Sequence, residues 1–267
     1  MMNLTISIVQ IQVQPERVEE NLRAVTTLFG YLPPAAKHIV VLPELWSTGF
    51  VEDRKKMAKI NDNLVIPRLK EIAKQKNLTI FGSYIQQNSK SQFTNQLKII
   101  QPNNDICISY NKIHLFSQMN EVKWFVSGKT PVIAELFGIR IGLSICYDLR
   151  FPDLFTTYAN NGAEIIILPC QWPTKRISHF NTLLKARAIE NQLVVAASNV
   201  SGKIGNTAFG GQSQIIDHMG NTIADAGEEL SAVLTRVIDL TALRSWRKTF
   251  PALKDRQIDV YPNCVIQ

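Results

Sequence analysis

GLSICYDLRFP, residues 142–152, is the stretch on which the reading of this chain turns. It completes an apolar run, 139–145, rich in β-branched residues and bounded by Gly138, the pattern of a buried strand. Cys146 comes next, then the polar, turn-prone Tyr147-Asp148-Leu149-Arg150, then Phe151-Pro152. Pro152 suits a first helical turn, where its missing N–H costs nothing. The spacing predicts strand, sharp turn and helix, with Cys146 at the carboxyl end of the strand. In open α/β sheets that edge is where ligands bind. A free cysteine is ordinarily a small buried hydrophobe. The turn gives this one a second meaning, because N–H groups exposed there can form an oxyanion hole and a helix N-terminus favours thiolate. A nucleophile also needs a partner, which the rest of the chain must supply.

The composition is that of a globular protein with a sizeable core: 267 residues, 45% hydrophobic and 19% charged. The four cysteines, Cys107, Cys146, Cys170 and Cys264, lie far apart with no CxxC pair. That argues against a zinc ribbon, a thioredoxin motif or a disulfide framework and fits a reduced, cytoplasmic setting. The N-terminus reads as a strand over 4–10 rather than a signal peptide. No apolar run reaches the ~20 residues that cross a bilayer. The formal charge is +7, yet no basic stretch is interleaved with aromatics, so nucleic-acid binding is not expected. The densest basic run, 54–59, reads as a solvated face.

Around the central stretch, strands and helices alternate. Strands are predicted over 4–11, 38–42, 78–83, 95–101, 106–110, 165–168, 193–198, 212–216, 222–224 and 232–238. Segments 132–137 and 139–145 read as a hairpin hinged at Gly138. Helices are predicted over 15–32, 66–76, 153–161 and, N-capped by Ser178, to Asn191. A short helix and a tail over 250–267 close the chain, and residues 113–129 form a long irregular loop of the kind that is often functional. With no linker or repeat visible, residues 1–267 read as one α/β domain: two mixed β-sheets packed face to face with helices outside.

Several of these strands end in residues foreign to a core. LPE places Glu44 after the apolar IVVL, and glutamate is rarely buried unless paired. Lys112 ends another strand, and Cys146 a third. Together they offer a base, a cation and a nucleophile. A free thiol is only a few per cent thiolate at neutral pH, and a general base within reach removes that limit. Attack on an amide carbonyl makes an oxyanion, which Lys112 and the backbone N–H of Tyr147 can stabilise; one such donor is worth ~10²–10³ in kcat. Cys–His pairing through His114 or His179 is the poorer alternative. No GxSxG, HExxH, P-loop or GxGxxG is present, the four histidines are isolated, and neither a metal nor a cofactor is expected.

LPELWSTGF (42–50), YNKIHLF (110–116) and GLSICYDLRFP resemble the three signature segments of the nitrilase, or carbon–nitrogen hydrolase, superfamily. NEVKWFVSG (120–128), LLKARAIENQ (183–192), SNVSG (198–202) and GGQSQIID (210–217) extend the likeness over nearly the whole chain. The resemblance implies a four-layer αββα sandwich and a Glu44–Lys112–Cys146 triad. It also implies a second glutamate, Glu121, that holds Lys112 or orients the substrate amide, and a homodimer or higher homo-oligomer. Within the superfamily the chain looks most like the bacterial ω-amidase branch, which implies hydrolysis of a small 2-oxo acid amide by water. Such a substrate needs a carboxylate clamp, for which arginine fits best. Arg150 and Arg176 are the candidates, with Trp46, Phe50 and Trp172 as pocket walls. Arg150 has an alternative place, tying down the turn through Asp148 or Glu190. Nitrilase and N-carbamoyl amidohydrolase chemistry share the triad and stay open, and a non-enzymatic interaction protein is the reading of the opposite class.

Overall fold

The apolar runs build two stacked sheets, seen in a computed structural model that describes residues 2–103 and 108–257. The chain begins with β1 (Asn3–Ile11), α1 (Val18–Leu28) and β2 (His38–Val41). A long helical segment follows: α2 (Arg54–Ile60), a π turn over Asn61–Val65, and α3 (Ile66–Lys76). Strands β3 (Thr79–Gln87), β4 (Phe93–Ile100) and β5 (Ser109–Asn111) complete the first half. The second half holds the short α4 (Glu121–Trp124), then β6 (Ile133–Leu136), β7 (Ile139–Leu143) and α5 (Pro152–Asn160). After these come β8 (Ile165–Cys170), α6 (Ile177–Asn191) and β9 (Val194–Asn199). The hairpin β10 (Ser201–Ile204) and β11 (Thr207–Gly210) stands apart from both sheets. Strands β12 (Gln214–Ile216), β13 (Thr222–Asp225) and β14 (Ser231–Asp239) lead into α7 (Leu240–Thr249).

Each main sheet has six strands, ordered β14-β1-β2-β3-β4-β5 and β13-β12-β9-β8-β7-β6. Both have a parallel centre, β1-β2-β3 and β7-β8-β9, with antiparallel strands outside. The residue alternation assigns the layers. Ile6, Ile8, Ile39 and Val41 pack with Ile139, Ile141 and Ile167 between the sheets. Val9, Ile11, Val40 and Leu42 face the other way, against Val18, Val25, Met57, Leu69 and Ala73 of the first helical layer. Leu154, Phe155 and Tyr158 of α5, with Phe180, Leu184 and Ala188 of α6, cover the second sheet. The result is the four-layer αββα sandwich that the sequence predicts. The parallel centres place the carboxyl ends of β2, β7 and β8 at one edge of the sandwich.

The local differences have local causes. Helix α1 starts at Val18, not near Pro15, because Glu16 takes a left-handed φ of 63° and its N–H is held by the Thr48 carbonyl at 3.0 Å. The basic run at 54–59 is α2, capped by Asp53, which accepts from the Lys56 N–H; Met57 and Ala58 are its buried face. Ser178 is not a cap. The 3-10 turn Thr174–Arg176 has already wound the chain, so α6 begins at Ile177 and Ser178 lies inside it. The hairpin of β6 and β7 hinges at Gly138 with φ 72°, as read from the sequence. Of the strand predicted over 106–110, Ile106 lies outside the described residues, as do Cys107, Cys264 and the end of the C-terminal tail. No helix among the described residues is long and apolar enough to cross a membrane.

Candidate active site

Glu44 follows β2 and is fully buried. Its Oε1 accepts from Lys112 Nζ and from Asn95 Nδ2, each at 2.8 Å. Its Oε2 accepts from the Gln171 N–H at 3.1 Å, and its backbone carbonyl accepts from Gln171 Nε2 at 2.8 Å. Asn95 belongs to one sheet and Gln171 to the end of the other, so the carboxylate is fixed from both sides of the sandwich. The chain leaves Glu44 through Leu45, at an unfavourable φ of 42°, held by Ser83 Oγ on the Leu45 N–H at 2.8 Å. Further on, Ser47 Oγ donates to Asn61 Oδ1 at 2.8 Å, anchoring this loop on the π turn. Such π segments inside helices are frequent at functional sites.

Lys112 leaves β5 and is also buried, its ammonium bridging Glu44 Oε1 and Glu121 Oε1 at 2.8 Å each. Glu121 opens α4, and its Oε2 accepts from the Phe116 N–H at 3.2 Å. Burial works against the Lys112 charge, but the two carboxylates outweigh it and hold its pKa well above the ordinary lysine value. Burial raises the Glu121 pKa to about 6, with Glu44 adding and Lys112 opposing. Gly128 explains its place in the 120–128 segment: its N–H donates to the Lys112 carbonyl at 2.9 Å, and a Cβ there would fall 2.1 Å from the Asn111 oxygen. Only glycine lets the loop close over the lysine strand this tightly.

Cys146 sits at the start of a 3-10 turn, Cys146–Arg150, with φ 46°, a conformation disfavoured for a residue with a Cβ. Strain of this kind concentrates at functional sites. What holds the turn is Asp148, fully buried. Its carboxylate accepts from the Ile145 N–H at 2.8 Å, Tyr110 Oη at 2.7 Å, and the His114 N–H at 3.0 Å, and it lies 2.7 Å from His114 Nδ1. One side chain therefore ties the cysteine turn to the strand and loop that carry Lys112. Burial, contact with Cys170 and the nearby Glu44 push the Cys146 thiol pKa well up against the pull of Lys112, so the resting group is a thiol.

Glu44, Glu121 and Cys146 meet in a pocket that opens to solvent. They lie at its base; Tyr147, Phe50, Phe116, Met119, Gln171, Trp172 and Pro173 form the walls. Arg150 and Arg176 line it too. The Arg150 guanidinium stacks over Trp172 at 4.8 Å, and that of Arg176 over Phe116 at 5.3 Å. Arg150 does not tie down the turn. Asp148 is filled by the donors above, Glu190 pairs with Arg187 at 2.8 Å, and Arg150 instead meets His179 Nδ1 at 3.4 Å. Trp46 is a correction: it is fully buried away from the pocket and packs edge-on against Tyr84, 6.1 Å between ring centres. The left-handed Leu45 turns the chain directly before it, so its ring enters the helix-side core. His114 is committed to Asp148 and stacks on Phe151 at 3.7 Å, which leaves no Cys–His pair through it.

Sequence reasoning missed Asn95, Gln171 and Asp148. The signal for Asn95 and Gln171 is weak: polar residues within or just beyond apolar strands, whose meaning depends on what faces them. Asp148 lies inside the decisive motif itself, where it reads as an ordinary turn residue.

Residues 5–248 match the family model described as carbon–nitrogen hydrolase. The chain is 32% identical to a 2-oxoglutaramate amidase of Bacillus subtilis (strain 168), over 97% of this chain and all of that protein. It is 33% identical to the omega-amidase YafV of Escherichia coli (strain K12), over 82% of this chain and 84% of that one. Among solved structures, XC1258 from Xanthomonas campestris, a CN-hydrolase superfamily protein with an arsenic adduct in its active site, superposes with a TM-score of 0.87 over the whole of both chains at 29% identity.

Proposed function

From the premise that this chain belongs to the carbon–nitrogen hydrolase family, we propose that it is an amidase that releases ammonia from a small 2-oxo acid amide, with Cys146 as nucleophile. The observation that carries the reading is the buried ammonium of Lys112 bridging, at 2.8 Å each, the two carboxylates Glu44 and Glu121 that line the pocket with Cys146 and two arginines. Glu44 takes the thiol proton as the sulfur adds to the amide carbon. The oxyanion is met by Lys112 and the Tyr147 N–H, donors fixed before the charge appears. On collapse the C–N bond breaks, and Glu44 returns its proton to the departing nitrogen, which leaves as ammonia. The thioester is then attacked by water as Glu44 removes a proton from it, and that proton goes to the departing Cys146 sulfur. No net proton is left on Glu44, so the cycle closes. Glu121 keeps Lys112 in place and shares its charge.

The relatives named for 2-oxoglutaramate and for omega-amides support an anionic substrate, and the pocket supplies the counter-charge in Arg150 and Arg176. A charged hydrogen bond is worth ~1.5–3 kcal/mol, and an arginine left desolvated and unpaired by a neutral substrate adds discrimination. The expected result is a kcat/KM for 2-oxoglutaramate or 2-oxosuccinamate well above that for an aliphatic amide, a nitrile or an N-carbamoyl amino acid. Of Arg150→Met and Arg176→Met, the one that removes the clamp should cost about 10- to 100-fold on the anionic amide and spare the neutral ones. Ammonia released equally fast from neutral and anionic amides would overturn the substrate.

The pH profile carries a second expectation. Glu121, with its pKa raised to about 6, is ionised above that pH and protonated below it. Protonation removes one of the two carboxylates that share and position the Lys112 ammonium. Activity should therefore fall as pH drops through about 6. Glu121→Gln should give a slower enzyme whose kcat/KM is flat across that range. A wild-type limb near pH 6 that persists unchanged in Glu121→Gln would assign it to another group.

A further inference from the structure

Cys170 is a second buried thiol, and the mechanism above does not use it. It closes β8, the strand beside the one that leads to Cys146. The two strands run parallel with Leu143 opposite Ile167. The ladder continues past that pair, with the Ser144 N–H on the Ile167 carbonyl at 3.1 Å. Three residues beyond Leu143 is Cys146, and three beyond Ile167 is Cys170. Cys146 itself lies past the end of β7, in the 3-10 turn, and its thiol is near enough to that of Cys170 for the two to interact directly, the proximity that a disulfide requires. The Cys146 sulfur in turn lies 3.8 Å from the carbonyl oxygen of Gln171, the residue after Cys170. Cys146 is 8% exposed, toward the pocket, whereas Cys170 is fully enclosed. The arrangement is one thiol that small molecules can reach and a second directly behind it.

We propose that Cys146 and Cys170 form a resolving pair, which a hydroperoxide entering the pocket converts to an intramolecular disulfide and a small dithiol reopens. The proposal rests on the reading of Cys146 as the reactive thiol. In the first step the Cys146 sulfur attacks the hydroperoxide: an S–O bond forms, the O–O bond breaks, and the thiol proton leaves with the departing oxygen as an alcohol or water. Cys146 is then a sulfenic acid. The Cys170 sulfur attacks it, the S–S bond forms, the S–O bond breaks, and water leaves carrying the Cys170 proton. Two thiols have lost two electrons and the peroxide has gained them. Glu44, which removes the Cys146 proton for the amide, is placed to do so for the peroxide. The consequence is protection. A lone sulfenic acid proceeds to sulfinic acid, which is in general irreversible, whereas a disulfide is recovered by thiol exchange.

The test uses the full chain exposed to hydrogen peroxide, followed by alkylation of free thiols, peptide mass mapping and an ammonia-release assay before and after dithiothreitol. The expected product is two hydrogens lighter, joins the peptides of Cys146 and Cys170, is inactive, and regains full activity on reduction. Cys170→Ala should still turn over the amide before oxidation, because the nucleophile and its base are retained. After peroxide it should carry a dimedone-reactive Cys146, then sulfinic acid, with activity that dithiothreitol does not restore. Cys170→Ser provides the same comparison if the alanine variant folds poorly. Phenylarsine oxide probes the spacing without oxidation. One arsenic bridging both sulfurs, released by a dithiol but not by a monothiol, supports the pair. Sulfinic acid at Cys146 beside a free Cys170 in the wild type, or a disulfide to Cys107 or Cys264 instead, overturns it. The mapping reads the bond whether or not any amide is turned over, so loss of the substrate assignment and loss of the pair are separate outcomes.

Discussion

Cys146→Ala should abolish ammonia release while leaving the fold and its melting temperature close to those of the parent. The substitution keeps the Cβ at φ 46° and deletes one sulfur from the base of the pocket, at the cost only of its contacts with the Gln171 carbonyl and the Cys170 thiol. Asp148 still holds the Ile145 N–H and Tyr110. The chemistry loses the atom that forms the thioester, and deleting a nucleophile from a machine whose parts act as a unit costs on the order of 10⁶-fold in kcat. Glu44→Gln in the Cys146→Ala background should then add little, because without a thiol there is nothing for the base to activate. Mass spectrometry supplies the positive control. A slowly hydrolysed amide should leave an acyl group on the peptide containing Cys146 in the parent and none on it in the variant. Near-normal turnover in Cys146→Ala would remove the nucleophile outright.

The three candidate groups are legible because each breaks a local rule. Glu44, Lys112 and Cys146 follow strands that ought to end in turn residues, and the structure brings Glu44 and Lys112 into contact at the edge of the pocket that holds Cys146. The layers were legible from alternation, as when Val40 and Val41 face opposite sides of one sheet. What stayed hidden depends on partners distant in sequence. Asn95 means nothing until β4 lies beside β5 and Gln171 arrives from the other sheet. Asp148 looks like a turn residue until Tyr110 and His114 are seen to converge on it. Trp46 departs from the expected pocket wall because a motif gives proximity along the chain but not side-chain direction, and the left-handed Leu45 turns the chain directly before it. Ser178 departs from its expected place as a cap for a related reason: a 3-10 turn before α6 does the winding that a cap would otherwise begin.

Lys112→Met should be the most damaging change to activity and stability together, and the two effects can be separated by pH. In the parent, one ammonium at 2.8 Å from each of two buried carboxylates makes their burial tolerable. Replacing it with a thioether of similar length preserves packing but leaves Glu44 and Glu121 facing each other without a cation. Breaking a buried ion pair from one side costs about 3–5 kcal/mol. The oxyanion loses its charged donor as well, worth ~10²–10³ in kcat on its own. Like charges in one site raise the pKa of at least one carboxyl. A folded-state carboxyl with a raised pKa binds its proton more tightly than the unfolded chain does, so stability falls as pH rises through that pKa. The variant should accordingly recover part of its lost melting temperature on moving from neutral to mildly acidic buffer, relative to the parent over the same interval. Adding Glu121→Gln should restore stability at neutral pH, because it removes one of the two opposed charges, and should leave turnover as low as before. If Lys112→Met lost activity with no pH-dependent change in stability, the lysine would be acting on the substrate alone, and the shared charge of Glu44 and Glu121 would not need it.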